Sequence, residues 1–385
     1  MKRILFYASN SVGLGHLRRV SLIAEAVPKK NPRTEVKFVV LTNYPHFLDE
    51  AGFSYIQLEP PKNELLKNNY QKLEQVKKNN NKKLEKVIGD YQPEIIAVDV
   101  FLFGFSFPWA ILKPRFDKIK KVLIIRFGSA KNYYKILRQN NNLINSFDKI
   151  IIPHSEEEIS RLLSKKDYLE IKKEAKFEIT GPIIKKINKQ NIVDCKKRYR
   201  INKNNFLLTV ALGGGGELTN ANCESPQKIV QEVINAYARI KQIIPDLKLI
   251  ICLGPAFKHQ KYIKNKIKNY PEIKLVSFER YLPELLSISD LIIASAGYNI
   301  CNEIIQAKTP AILMPLNRNS DEQYERANFL KNMGIVKVFD FKSKKKFFKI
   351  FSDCFKELKT MRQNFEKIPK QKQGDKEAVK VILNL

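Results

Sequence analysis

Short apolar runs alternate with helix-length amphipathic segments along almost the whole chain. Runs at 4–8, 36–41, 55–58, 95–99, 122–125, 150–152 and 177–180 read as strands in the first half. Runs at 206–211, 247–252, 274–278, 291–294 and 311–314 read as strands in the second. Several are continuous β-branched stretches, the pattern of strands covered by helices on both faces. Such strand–helix alternation predicts an α/β architecture with parallel, doubly wound sheets. The rhythm restarts near residue 205, after Thr180-Gly181-Pro182 and a polar, basic stretch. Two Rossmann-like domains facing across a cleft are therefore expected: 1–182, a linker with an entry helix over 183–204, and 205–365. A basic amphipathic helix is expected at 342–361, and the segment 366–385, ending in a short helix, is expected to pack back on the first domain.

The length of 385 residues suits two domains at about 100–200 residues each. No apolar run approaches the roughly 18 residues needed to span a bilayer. The first run ends at Ala8 in polar Ser9-Asn10-Ser11, so it reads as a strand and not as a signal peptide core. The 5 cysteines form no C-x-x-C pair, which argues for a reducing cytoplasm and against a disulfide framework or zinc ribbon. The 4 histidines, at 16, 46, 154 and 259, argue against a histidine-rich metal site.

The net charge of +30 is read chiefly as lysines spread over solvated helix faces. Its alternative is attraction to an anion: a nucleotide diphosphate, an acidic membrane surface or nucleic acid. The densest basic stretch, 62–87, spaces Leu65, Leu66, Tyr70, Leu73, Val76 and Leu84 as an amphipathic helix. Tyr70 is its one aromatic residue, whereas a nucleic-acid-binding run would interleave stacking rings. No nucleic acid is expected as a partner.

Candidate chemistry begins after the first strand, at Gly13-Leu14-Gly15-His16-Leu17-Arg18-Arg19. Gly13 and Gly15 stand where a strand's carboxyl end meets a helix N-terminus, so a ligand can approach free backbone N–H groups. Arg18 takes the place of a third glycine, so this is not a full dinucleotide fingerprint. His16 is read as a base or oxyanion-binding group; the alternative is a histidine that caps or packs the turn. Asp99 ends the strand at 95–99 and is a second candidate base, or a cap for the next helix. Apolar residues fill 101–109 behind it.

The second half opens with Gly213-Gly214-Gly215-Gly216 directly after a strand, a loop able to nest a phosphate in backbone amides. No Lys-Ser/Thr follows, which excludes a Walker A loop. The stretch from Asp290 reads as a strand, a turn at Gly297-Tyr298-Asn299, and a helix with Glu303 in its second turn. A carboxylate there can accept both hydroxyls of a ribose while the helix N-terminus faces phosphates. Its alternative is a solvated surface residue. Ser320 and Gln323 fit a capping box, so Gln323 has a structural alternative as well. The chain has no Asp-x-Asp and no carboxylate cluster in its glycine-rich turns, so no protein-held divalent metal is expected.

Gly297-Tyr-Asn-Ile-Cys-Asn-Glu303, Thr309-Pro-Ala-Ile-Leu-Met-Pro315 and Glu322-Gln323 resemble the donor-binding half of MurG-like GT-B glycosyltransferases. The turn from Gly13 to Arg19 resembles that of predicted glycosyltransferases in the same superfamily, and 177–182 is similar to the segment leading into their linker. The resemblance touches most of 1–335. It implies a GT-B fold and transfer from a nucleoside diphosphate sugar, a UDP-sugar by preference, to an acceptor hydroxyl, inverting and without a metal. By the same resemblance Glu303 holds the ribose, Gly297, Tyr298 and Asn299 lie against base or phosphates, and Gln323 lies near the sugar. Gly214 and Gly215 would meet the diphosphate, and His16 the acceptor or reacting centre, with His16 or Asp99 as base. The nucleotide-sugar is then a substrate and no cofactor is implied. A nucleotide-sugar 2-epimerase of the same architecture is the rival activity. The acceptor stays open between a lipid-linked molecule and a glycan. The 101–109 and 62–87 segments either meet an anionic membrane, at the inner face of the plasma membrane, or serve as core and solvated face.

Overall fold

In the computed structural model the apolar runs become two fully parallel sheets, each in its own unit. The structure describes all residues except 11–13, 61–68, 101–105, 128–133, 135–136, 140, 218–222, 318–321 and 344. Gly13, Ser320, the start of the basic 62–87 stretch and the start of the apolar 101–109 segment therefore lie outside the described residues.

The first unit comprises Met1–Ile184 and Gln371–Leu385. Its strands are β1 (Lys2–Ser9), β2 (Thr34–Leu41), β3 (Tyr55–Gln57), β4 (Ile95–Asp99), β5 (Lys120–Ile124), β6 (Lys149–Ile152) and β7 (Phe177–Ile179). They lie in the order β3-β2-β1-β4-β5-β6-β7. The chain winds outward one way from β1 and the other way from β4, so the topological switch falls between these two strands. In open parallel sheets, ligands bind beyond the strands' carboxyl ends at that switch. Register puts Ala8 opposite Asp99 there.

Both faces of this sheet are buried, which is why its strands read as unbroken apolar runs. On one face the Gly15–Lys30 helix brings Val20, Ile23, Ala24 and Val27 against Ile4, Phe6 and Phe38. The C-terminal helix, Gly374–Leu383, adds Ala378, Val379 and Ile382 to the same core. On the other face the basic stretch forms the helix Tyr70–Tyr91, capped by Asn69, whose Oδ1 accepts the Lys72 N–H at 3.1 Å. Its Leu84, Val87, Ile88 and Tyr91 pack inward and most of its lysines face solvent.

The second unit comprises Lys185–Lys370. It holds β8 (Phe206–Ala211), β9 (Leu247–Cys252), β10 (Lys274–Val276), β11 (Leu291–Ala294), β12 (Ala311–Leu313) and β13 (Val336–Val338). The order is β10-β9-β8-β11-β12-β13, so its switch lies between β8 and β11. The Lys189–Arg198 helix, in the stretch expected as linker and entry helix, belongs to this unit: the Glu284 Oε1 accepts the Asn188 N–H and the Asn191 amide, each at 3.1 Å. The helix expected from 342 begins at Phe347, because the Asp340 Oδ1 accepts the Lys342 N–H at 2.9 Å and holds a turn first. Among the described residues no helix is long and apolar enough to cross a membrane.

Candidate active site

At the switch point of the first unit, three side chains from two strand ends converge. His16, in the first turn of the Gly15–Lys30 helix, places Nδ1 at 2.6 Å from the Asp99 Oδ1. Arg19, one turn further on, donates Nε to the Asp99 Oδ2 at 2.7 Å and Nη2 to Oδ1 at 2.7 Å. The i, i+3 spacing puts His16 and Arg19 on one helical face, both aimed at β4. Asn10 completes the arrangement: its Oδ1 accepts the His16 backbone N–H at 3.0 Å. Gly15 is the first residue of this helix.

Burial decides the roles. The Asp99 side chain is 0% exposed, Arg19 2% and His16 13%. Burial alone would raise the Asp99 carboxyl, but Arg19 and His16 hold it below the ordinary carboxylate range. Burial pushes His16 below the ordinary histidine range; Asp99 opposes this, and Arg19 and Arg126 reinforce it. The imidazole is therefore neutral at neutral pH. An ionised Asp99 can only accept, so Nδ1 carries the ring's proton and Nε2 its basic lone pair. Arg19 Nη2 also lies 3.2 Å from Nδ1, a close approach and not a bond in this tautomer, since a guanidinium cannot accept. Asp99 is thus locked between two cationic or donor groups, while His16 presents the base.

At the switch point of the second unit, two glycine turns interlock. Gly213 and Gly215 follow β8 with φ of +62° and +68°, and Gly254 follows β9 with φ of +85°. A Cβ on Gly215 would stand 2.1 Å from the Leu253 carbonyl oxygen, and one on Gly254 2.3 Å from that of Gly213. The Gly214 carbonyl accepts the Ala256 N–H at 3.0 Å. The Gly215 N–H closes its own turn onto the Leu212 oxygen at 3.1 Å, so it is not offered outward to an anion. Among these glycines, Gly214 is left half-buried at the strand end.

Beside this loop, β11 leads into Gly297 and the Tyr298–Ala307 helix. Gly297 has φ of −63°, an angle open to any residue, and a Cβ there would meet nothing nearer than 3.8 Å. Its backbone does not require glycine, so the missing side chain leaves space above a helix N-terminus, where an anion is favoured. Asn299 is half-buried, whereas Tyr298 and Glu303 are buried, Glu303 at 3% exposed. A carboxylate so far out of water belongs to the interior of the strand-end region and not to a solvated helix face.

Gln323 has a structural task. The helix Gln323–Asn332 has Glu322 at its N-cap, so Gln323 is its first residue and not the third-position partner of a capping box. Its Oε1 accepts the Ala296 N–H at 3.2 Å and the Leu316 N–H at 3.0 Å, tying the loop after β11 to the loop after β12. Arg326 adds a bond from Nη1 to the Ala296 oxygen at 2.6 Å, with its guanidinium 5.8 Å from the Tyr298 ring centre. Together they fix the corner from which Gly297 projects.

The structure thus brings His16 and Asp99 together in one unit, and the Gly297–Glu303 segment and Gln323 together in the other, with Gly214 and Gly215 on the neighbouring strand end. Sequence reasoning did not single out Arg19, Asn10, Arg326 or Gly254. Arg19 carried a readable signal, a cation three residues from His16 on one helix.

Residues 223–382 match the glycosyltransferase family 28 C-terminal domain. The chain is 30% identical over 129 residues to a UDP-N-acetylglucosamine–N-acetylmuramyl-(pentapeptide) pyrophosphoryl-undecaprenol N-acetylglucosamine transferase of Carboxydothermus hydrogenoformans, covering 33% of this chain and 32% of that one. The enzyme of the same name from Fusobacterium nucleatum is 25% identical over 222 residues, covering 56% and 52%. The chain therefore spans about a third to a half of the length of these relatives. Among solved structures, MurG of Acinetobacter baumannii aligns over 100% of both chains with a TM-score of 0.61 at 12% identity. UDP-GlcNAc 2-epimerase of Neisseria meningitidis aligns over 100% of this chain and 99% of that one, also at 0.61, with 16% identity. Residues 223–382 are thus similar to the glycosyltransferase family 28 C-terminal domain, in a chain that shares the GT-B fold.

Proposed function

We propose that this protein is a glycosyltransferase that moves a sugar from a UDP-sugar to an acceptor hydroxyl, with His16 as the general base. The observation that carries the reading is the buried Asp99 carboxylate 2.6 Å from the His16 Nδ1, which fixes a neutral imidazole with its basic nitrogen opposite. In the transfer, the His16 Nε2 takes the acceptor's hydroxyl proton as that oxygen attacks the anomeric carbon. The bond from that carbon to the diphosphate oxygen breaks, and UDP departs with the electron pair. Asp99 stabilises the imidazolium that forms, and Arg19 keeps Asp99 ionised; both are positioning residues. One displacement inverts the anomeric carbon.

The second unit holds the donor in this reading. Glu303 accepts the ribose hydroxyls, and the Gly297 corner and helix N-terminus meet the diphosphate, whose departing charge fixed N–H dipoles stabilise. Gln323 and Arg326 keep that corner in place. No divalent metal and no resident cofactor are needed, so EDTA leaves the rate unchanged.

The acceptor is a lipid-linked molecule met at an anionic membrane, on the cytoplasmic side. Two things support this: the printed names of the matched relatives, which act on a pyrophosphoryl-undecaprenol acceptor, and the lysine-rich outer face of the Tyr70–Tyr91 helix, with Trp109 42% exposed. The epimerase reading stays in view because a solved epimerase shares the fold as closely as MurG does. Incubation of the protein with UDP-sugars, with and without lipid extract, followed by mass spectrometry, tests both. Transfer predicts UDP release coupled to a glycosylated lipid. An epimer formed from donor alone would overturn it.

A further inference from the structure

An acidic residue follows the glycine loop directly, where an anion would be expected to approach. Glu217 ends that loop, with its side chain 15% exposed. Ser225 donates its hydroxyl to the Glu217 Oε1. The His259 Nε2 lies 3.0 Å from Oε1 and 3.2 Å from Oε2. Burial alone would raise this carboxyl, but Ser225, His259 and the nearby Lys258 hold it below the ordinary range. It is thus an anion, and a bare anion there would repel a diphosphate.

His259 covers that carboxylate. It sits on the loop after β9, which is pinned to the glycine loop at three points: Leu253 against Gly215, Gly254 against Gly213, and the Ala256 N–H on the Gly214 oxygen. The Phe257 ring meets the imidazole edge-on at 5.9 Å, fixing its plane. With Nε2 engaged by Glu217, Nδ1 has no hydrogen-bond partner among the described residues, and the ring is 39% exposed. A ring that donates from Nε2 to Glu217 turns its other nitrogen, Nδ1, away from that carboxylate, where a phosphate oxygen can meet it.

We propose that His259, held by Glu217, is a diphosphate-binding residue that donates from Nδ1 to a phosphate oxygen at the glycine loop. The proposal rests on the donor reading above and assigns the part of the donor that this edge of the site recognises. Glu217 is the positioning residue, and Ser225, by donating to its Oε1, holds the carboxylate in place.

The test titrates uridine, UMP and UDP into wild-type protein and His259→Gln by calorimetry, with melting curves as a fold control. His259→Gln is expected to melt like wild type, bind uridine equally and lose about tenfold in UDP affinity, or about 1.4 kcal/mol. A His259→Lys variant, which places an N–H donor with a positive charge there, is expected to regain part of the loss. Equal UDP affinity in wild type and His259→Gln would overturn this inference and leave the donor reading standing. Loss of uridine and UDP binding alike would also overturn it, by showing a role in shape alone. Failure of wild type to bind any nucleoside diphosphate would overturn the donor reading and this inference with it.

Discussion

Replacing Asp99 by Asn keeps the side chain's size and removes its charge. The residue is 0% exposed and receives three short contacts, at 2.6 Å from His16 and at 2.7 Å twice from Arg19. The variant leaves Arg19, 2% exposed, as a buried cation without its counter-ion. Removing one partner of such a pair costs about 3–5 kcal/mol. At roughly 2–4 °C per kcal/mol for a domain of this size, the melting temperature should fall by roughly 6–20 °C. The amide can also turn its N–H₂ toward Nδ1, which places the ring's proton on Nε2 and removes the base. Turnover should drop about 10²–10⁴-fold, the range of general base catalysis. UDP affinity should not change, because Asp99 belongs to the other unit. The assay is initial-rate UDP release from a UDP-sugar across pH, alongside calorimetric UDP binding. In wild type the acidic limb should lie below about 6.5, the ordinary histidine value, since burial lowers His16 more than Asp99 raises it. Asp99→Asn removes the group that opposes the shift, so any residual limb should move lower still. A variant that turns over at the wild-type rate would refute the pairing's role in catalysis.

Three further outcomes follow from the same geometry. Glu303→Gln should weaken UDP binding by about tenfold while sparing the free phosphate-bearing half, because one ionised acceptor is lost from the ribose diol; calorimetry with UDP and with pyrophosphate reads this directly. Gly215→Ala should destabilise by roughly 2–6 kcal/mol, summing about 1–3 for positive φ and about 1–3 for the clash with the Leu253 carbonyl. Gly297→Ala should melt like wild type yet bind donor poorly, and equal melting losses in the two glycine variants would refute the contrast. His16→Gln should flatten part of the pH dependence of stability. The folded His16 pKa lies below its unfolded value, so its contribution is full above about 6.5 and is lost as pH falls from there toward the folded pKa. Identical stability–pH curves for wild type and His16→Gln would contradict the buried neutral imidazole.

The alternation of strands and helices was legible because both sheets are covered on two faces, so that strands such as β4 are apolar throughout. β13 carries no such apolar run: Val336–Val338 is a three-residue strand with Lys337 at its centre, on the sheet's edge. The Gly297 corner and Glu303 were readable as a local pattern, since all lie within one turn and one helix. The partnership of Asp99 with His16 was not, because the two are 83 residues apart and meet only through the pairing of β1 with β4. The spacing around Gln323 suggests a cap or a sugar contact, whereas its oxygen bridges two backbone amides from different loops, a relation no spacing encodes. The glycine tract looked like a uniform anion nest; the neighbouring Gly254 turn explains why Gly215 packs inward instead.

A crystal structure of the protein with a bound UDP-sugar tests the central claim most directly. The account predicts the ribose hydroxyls within hydrogen-bond distance of the Glu303 carboxylate and the diphosphate over the Gly297 helix N-terminus. Nucleotide density elsewhere on the second unit, with Glu303 out of contact, would contradict it.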